Sequence, residues 1–574
     1  MISNTISNTS NYKVLFRFER DDLYNGLWYN RENRLVFPIR FCESDTKNLP
    51  MGYDPRYHAD GKNWFSSCSN INDIYHWYKT EDIKYLLNHG FVYCIYLAKD
   101  YKEYDMETVF LMETAINRKV VDIFELIETS KTMNNETFMK QLKDILLNSP
   151  MDEQLKARID EIKNHKMHQI LTSLLQNDFY KFNMGNCIYH QHQNKKVRWA
   201  FKCRSQEFSI NHKKVNFTPE MVEEIKRQVK MWCNLRFKEY ELEWLRKVAP
   251  WLHKDFTDYL KFWHPEFKNI EWTTDTPCGL GIHIEGTALE ITWYETPIMS
   301  IICEVFYRMG GAGVSYIKLL EDYKNNIEDV ISKLKSKEYE IGNFSDFGFR
   351  RRLSAEATEW MVSRFKEEHF DNSNFCGTSD VYLARLYDVK PIGTMAHELC
   401  MLIGQGYPER NPAYSNKFML ESWIKEYGIL NGIALTDTIG TDAFLKDFNL
   451  TYATLFSGCR HDSGDPFKWG DKMIEHYKKL GIDPKTKTLL FSDSLTFEKA
   501  SNLYKYFKDK AKVAFGIGGS MSSPRNYSLN IVIKPIEVDG NPVAKLSDVE
   551  GKNMCEDPEY IKYLRKTVDW RLTH

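Results

Sequence analysis

The stretch Gly458-Cys459-Arg460-His461-Asp462-Ser463-Gly464-Asp465-Pro466 packs two cations, two carboxylates, a hydroxyl and two glycines into nine residues. It follows a hydrophobic-rich segment and precedes an amphipathic one. That composition is poor for a core and suited to the mouth of an α/β unit, where loops carry chemistry on a rigid scaffold. Arg460 suits an oxyanion, because its guanidinium offers two donors at once. Asp462 and Asp465 suit sugar hydroxyls or a divalent metal. Gly458 and Gly464 let backbone approach a ligand. The competing reading is a solvated acidic turn.

Outward from this loop, apolar runs and helical patterns alternate. Gly432-Ile433-Ala434-Leu435-Thr436, Thr488-Leu489-Leu490-Phe491-Ser492 and Lys512-Val513-Ala514-Phe515-Gly516 each read as a strand followed by a polar or glycine turn and a helix. The spacing predicts parallel strands with crossover helices, and hence a ligand at the C-terminal strand ends. Residues 171–290 mix helical stretches, such as Thr218 to Val248, with short strands such as Val197 to Cys203. Phe138 to Leu147 and the polar stretch Met151 to His165 read as helices of a linker. Val14 to Phe18 and Phe91 to Leu97 read as strands and Ile74 to Leu87 as a helix. The turn signals Asp54-Pro55 and Asp60-Gly61 lie among them. The expected layout is an N-terminal α+β accessory domain over 1–130, a helical linker over 131–165, an α+β domain over 166–290 and an α/β barrel over 291–574.

A chain of 574 residues is too long for one core. Its 43% hydrophobic and 27% charged content is that of an ordinary globular protein. A formal net charge of -2 gives no field of one sign, so neither nucleic acid nor a membrane surface is expected as partner. The twelve cysteines form no CxxC pair and read as reduced thiols. With no signal-like start and no bilayer-length apolar run, a cytoplasmic location is expected.

Several further loops have site-like composition. They are Asp346-Phe347-Gly348-Phe349-Arg350-Arg351-Arg352, Gly377-Thr378-Ser379-Asp380, Gly393-Thr394-Met395-Ala396-His397-Glu398, Leu435-Thr436-Asp437, Phe491-Ser492-Asp493-Ser494 and Phe515-Gly516-Ile517-Gly518-Gly519-Ser520. The Gly377 turn, at a helix start, can present backbone N–H groups to an anion. Each loop has a plainer reading: His397 as a structural imidazole, Asp437 and Asp493 as helix caps, Tyr180 as core, Arg350 to Arg352 as a solvated face. Their recurrence after strands of one region favours a site.

In order along the chain, these loops, with Leu174 to Lys181, Phe201-Lys202-Cys203-Arg204 and Lys545-Leu546-Ser547-Asp548, resemble the nicotinate phosphoribosyltransferases, the bacterial type of the type II phosphoribosyltransferases. The resemblance spans residues 166 to about 570. It implies an irregular α/β barrel with an α+β domain. It also implies formation of nicotinate mononucleotide and pyrophosphate from nicotinate and 5-phosphoribosyl pyrophosphate (PRPP), with ATP hydrolysis coupled through a phosphohistidine in NAD biosynthesis. The residues carried over are His397 as the phosphorylated and catalytic histidine, with Arg350 and Asp462 also catalytic. Tyr180, Phe347, Ser379 and Arg350 hold nicotinate. Arg460, Asp462, Ser463, Gly464, Asp465, Asp493, Gly516, Gly518 and Gly519 hold PRPP. Asp462 and Asp493 are candidate magnesium ligands. Mg2+ and ATP are the implied cofactor and co-substrate. A homodimer with shared sites is implied, Tyr180 coming from the other subunit.

Ser379 stands where nicotinamide-using relatives carry an aspartate, which would repel a substrate carboxylate. Departures from the family pattern are Asn177, Phe349, Asp380 and Gly519. Asp380 and Gly519 keep open a nicotinamide phosphoribosyltransferase of the same fold. The other alternative is a non-catalytic regulator that binds NAD metabolites. In the first 165 residues, Arg17, the stretch Trp64 to Ser69, and Glu107 or Glu113 faintly resemble an ADP-ribosyltransferase arrangement; a packing or dimerisation domain is the preferred reading there.

Overall fold

The computed structural model describes residues 12–20, 64–73, 78–88, 91–104, 107–156, 159, 169–205, 213–546 and 555–574. The chain divides into two compact units, Met1–His168 and Gln169–His574. The turns expected at Asp54-Pro55 and Asp60-Gly61, and Ser547-Asp548, lie outside the described residues.

In the first unit β1 (Lys13–Arg20), β2 (Trp64–Ser67), β3 (Phe91–Ala98), β4 (Tyr101–Tyr104), β5 (Glu107–Leu111) and β6 (Ala115–Val121) form two antiparallel sheets. Their orders are β1-β3-β6 and β2-β5-β4. The period-two alternation of β1 explains its burial on both faces. Val14, Phe16 and Phe18 enter one apolar cluster, with Ile83 and Leu86 of α1 (Thr80–Asn88), and Leu15 enters another. The expected linker is part of this unit. After α2 (Ile123–Lys131), α3 (Asn135–Asn148) buries Phe138, Leu142 and Leu146 in the same cluster as β1. An amphipathic stripe needs a core, and α3 finds one here. The ADP-ribosyltransferase pattern gains no support. Arg17 Nε lies 3.4 Å from Glu19 Oε2, and the buried Glu19 also takes Arg118 Nε at 2.6 Å and the Tyr96 hydroxyl at 2.8 Å. The strand arginine belongs to a buried ion network.

The second unit begins with α4 (Phe179–Gln191), followed by β7 (Lys196–Cys203), α5 (Lys254–Leu260), β8 (Ile270–Thr273), β9 (Gly281–Thr287) and α6 (Glu295–Arg308). Then come β10 (Gly342–Asp346), β11 (Ser373–Thr378), α7 (Val381–Leu386), β12 (Lys390–Pro391), α8 (His397–Gln405), α9 (Ser415–Tyr427), β13 (Ile433–Leu435) and β14 (Gly458–His461). The series ends with α10 (Pro466–Lys479), β15 (Thr488–Phe491), β16 (Lys512–Ile517), β17 (Ile531–Val538) and β18 (Asn541–Pro542). Seven strands form a parallel sheet in the order β12-β11-β10-β16-β15-β14-β13. Among the described strands its two ends are not joined, so the expected barrel is a curled half-barrel.

The split at 290/291 does not hold. The antiparallel sheet β18-β17-β7-β9-β8 takes its centre from both ends of the unit, with Lys534 of β17 in register with Ala200 of β7. Among the described residues no helix is long and apolar enough to cross a membrane, and every cysteine is a free thiol.

Candidate active site

A cavity of about 700 Å³ opens in the second unit over the C-terminal ends of the parallel strands. Parallel strands leave their C-terminal loops free to converge, and all the expected loops but Leu435-Thr436-Asp437 line the cavity. Phe347 and Arg350 follow β10, Ser379 follows β11, His397 follows β12, Asp462 follows β14, Asp493 follows β15, and Gly518 and Gly519 follow β16. Arg460 lines it from within β14. Lys534 of β17 and Arg204, just past β7, line it from the antiparallel sheet.

His397 opens α8 and is buried. Its Nε2 lies 2.9 Å from Asp437 Oδ1 and 3.6 Å from Asp462 Oδ2. The other Asp437 oxygen accepts from Ser463 Oγ at 2.6 Å and pairs with Lys545 Nζ at 3.0 Å. With a carboxylate at Nε2, the neutral tautomer carries its proton there, which leaves the Nδ1 lone pair unshared. Burial, helped by Lys545 and opposed by Asp437 and Asp462, pushes the imidazole down to about 4. It is therefore neutral at neutral pH. Burial works to raise Asp462, but Arg460 first, then His397 and Lys545, outweigh it and keep the carboxyl below its ordinary range. Asp462 Oδ1 accepts from Ser492 Oγ at 2.9 Å.

A second buried network floors the cavity. Glu295 takes Lys181 Nζ at 2.8 Å, Lys534 Nζ at 2.9 Å and Arg350 NH1 at 3.6 Å. Arg350 NH1 donates to the Tyr180 hydroxyl at 3.4 Å. Glu295 is held ionised: burial opposes this, and Lys181, Lys534 and Arg350 override it. Glu398, which also pairs with Lys181 Nζ at 2.5 Å, is driven upward by burial. Arg204, Arg350 and Lys534 thus bring cationic groups to the cavity lining.

Tyr180 and Arg350 of one chain meet in one cavity. The chain's own Tyr180 reaches this cavity because α4 packs its first turn against Gly393. A Cβ on Gly393 would lie 2.8 Å from the Tyr180 nitrogen.

Other expectations are corrected. Asp465 is the exposed N-cap of α10, accepting from Phe467 N at 2.9 Å and Lys468 N at 3.1 Å, and does not line the cavity. Ser463 spends its hydroxyl on Asp437, and Gly464 makes the turn at φ 87°. Gly516 clears space: a Cβ there would sit 2.4 Å from the Phe347 ring. Asp380 points no carboxylate at the cavity. It caps α7 through Tyr382 N and Leu383 N and faces Arg352 at 3.6 Å. That cap fills the helix start expected to bind an anion. Asp437 and Asp493 are not caps; Asp493 lines the cavity and Asp437 backs His397.

His397, Asp437 and Asp462 converge, each with one ligand atom within 4.8 Å of the others. Asn177 is structural, donating to Trp293 O at 3.1 Å. Phe349 is buried with its ring 5.0 Å from the Arg352 guanidinium. At Gly519 a Cβ would meet only Ser523 and Ser528 hydroxyls at 3.9 Å, so no steric demand selects glycine. His461 packs between Trp469 and Phe491, ring centres 5.3 and 6.0 Å away, outside the cavity lining.

The model of the nicotinate phosphoribosyltransferase (NAPRTase) family matches residues 343–571, and that of its N-terminal domain matches residues 175–303. The nicotinate phosphoribosyltransferase of Ralstonia pickettii is 38% identical over 405 residues, spanning 69% of this chain and 98% of the relative. The chain belongs to the nicotinate phosphoribosyltransferase family. The Burkholderia mallei nicotinate phosphoribosyltransferase is 38% identical over 69% of this chain and 96% of its own length. The crystal structure of the Vibrio cholerae nicotinate phosphoribosyltransferase matches with TM-score 0.62 and 35% identity, covering 70% of this chain and 94% of that one. The Porphyromonas gingivalis nicotinate phosphoribosyltransferase matches with TM-score 0.62 and 30% identity, covering 69% and 99%. Membership in this family of enzymes accounts for the half-barrel and for the convergence of its loops.

Lys181, Glu295, Lys534, Lys545, Asp437 and Arg204 were not singled out as site residues by sequence. Lys181, Asp437, Lys545 and Arg204 lie within quoted motifs; for Asp437, Lys545 and Arg204 charge just past a strand was the available signal. Glu295 and Lys534 gave none.

Proposed function

We propose that this chain transfers the phosphoribosyl group of PRPP to nicotinate in NAD biosynthesis, with ATP hydrolysis coupled through phosphorylation of His397. The observation that carries the reading is the imidazole itself: neutral, oriented by Asp437 at Nε2, its Nδ1 unshared, beside Asp462 and Arg460 in a cavity lined with cations. In the phosphorylation step the Nδ1 lone pair attacks the γ-phosphorus and ADP leaves with the electrons of the broken P–O bond. Asp437 steadies the Nε2 proton and the charge that develops on the ring.

In the glycosyl step the pyridine nitrogen bonds to ribose C1 as the C1–oxygen bond breaks toward pyrophosphate. Arg460 and Arg350 take up the negative charge of the leaving group. Phe347 and Tyr180 present aromatic faces to the pyridine ring. Ser379 and the cations Arg350, Lys534 and Arg204 suit a carboxylate substituent. Asp462 and Asp493, carboxylates on the same cavity wall, fit the oxygen ligands magnesium requires. When bound, magnesium neutralises diphosphate charge.

The amide-using alternative loses its main support, since the Asp380 carboxylate is committed to α7 and Arg352. A non-catalytic regulator would not need His397, Asp437 and Lys545 held in one chain of contacts. The test is incubation with γ-labelled ATP. Acid-labile, base-stable label on the protein, absent from His397→Ala, supports the reading; equal labelling of both proteins overturns it.

A further inference from the structure

On the surface of the second unit, away from the cavity, three helix ends meet: the C-terminal ends of α4 and α9 and the N-terminal end of α5. They bring together His190, His253 and Glu426, with one ligand atom from each within 4.8 Å of the others. The two imidazole rings lie 4.7 Å apart between centres, tilted by 53°. His190 Nδ1 is 2.6 Å from Glu426 Oε1, and its Nε2 is 3.1 Å from Asp255 Oδ2. His253 sits at the N-cap of α5 but makes no capping bond with its side chain.

Glu426 is not a loose surface acid. Its side chain is 4% exposed, Asn186 Nδ2 donates to Oε1, and Gln191 Nε2 donates to Oε2 at 3.0 Å. Asn186 also accepts the His253 backbone N–H at 3.0 Å, so one amide ties both prospective ligands. A plain ion pair explains one histidine between carboxylates. It does not explain a second imidazole close beside the first, which would repel it if both were charged. Two imidazoles and an oriented carboxylate match the nitrogen and oxygen set of zinc-class ions, whereas magnesium and calcium take oxygen ligands. A carboxylate on the far ring nitrogen, as Asp255 is to His190, is the usual support of a metal-bound imidazole.

We infer that His190, His253 and Glu426 form a surface site for a zinc-class divalent ion, with Asp255 orienting His190. The bound ion joins α4, α5 and α9. The other end of α4 carries Tyr180 and Lys181 into the active-site network, so the ion pins the helix that holds them.

The test uses the full chain, stripped with a chelator and titrated with zinc, and separately with cobalt. The expected result is one zinc per chain that is lost in His253→Ala and in Glu426→Gln and kept in His397→Ala. Cobalt then shows weak ligand-field bands without a strong thiolate charge-transfer band. Zinc raises the melting temperature of the wild-type protein by about 2 °C or more and leaves that of His253→Ala unmoved. His253→Ala removes an exposed side chain with no capping bond, so the fold stays intact. Absence of binding, equal zinc binding by wild type and His253→Ala, loss only in His397→Ala, or a thiolate band would each overturn the inference.

Discussion

His397 is held neutral by its surroundings, and the pH dependence follows from that. The ring sits at about 4 when folded because burial and Lys545 disfavour the imidazolium. An unfolded histidine titrates near ~6.5. Below that pH the unfolded chain takes up the proton first, so the stability held by neutral His397 is present above about 6.5 and is lost as pH falls through about 4. The acid limb of ATP-stimulated turnover should therefore lie well below pH 6. Lys545→Met should move it upward toward 6.5; an unmoved limb would show that Lys545 does not set the imidazole. Ser379→Asp should shift preference from nicotinate toward nicotinamide by about tenfold or more in kcat/KM. Asp380→Asn, which keeps the cap, should leave that preference unchanged. His397 and Ser379 were legible because each stands alone in a recognisable motif. Asp437 and Lys545 were harder, because their partnership with His397 joins three distant stretches of chain and no local pattern records it.

At the scale of the element, carboxylates that cap helices and carboxylates that face ligand look alike in sequence. Asp465 was assigned to PRPP and Asp380 kept the nicotinamide reading open, and both cap helices. Asp465-Pro466 carried a legible warning, since aspartate followed by proline is a helix-start signature. Asp465→Ala should cost about 1 kcal/mol of stability, read by denaturant unfolding, and leave KM for PRPP unchanged. A raised KM would return Asp465 to the substrate. Gly516 acts through packing: a methyl there meets the Phe347 ring. Gly516→Ala should raise KM for the pyridine base by about tenfold with little change for PRPP, since remote displacement of a positioning ring acts on its own ligand. Three strands of the half-barrel, β13, β15 and β16, were legible as apolar runs closed by polar turns. The antiparallel sheet was misdivided because β17 returns to pair with β7 from the far end of the chain.

At the scale of the whole molecule, every cavity residue named above belongs to the second unit, and the family models match only there. The first unit has its own sheets and its own buried Glu19–Arg118 network. Residues 169–574 expressed alone should keep the kcat/KM of the full chain for the phosphoribosyl transfer; loss of turnover with an intact fold by circular dichroism would assign the first unit a part in catalysis. The measurement that bears most directly on the account is product formation by mass spectrometry, with PRPP, magnesium and either nicotinate or nicotinamide, with and without ATP. The account predicts nicotinate mononucleotide, increased by ATP and no longer increased by it in His397→Ala. Nicotinamide mononucleotide as the main product, or no mononucleotide from either base, would contradict it.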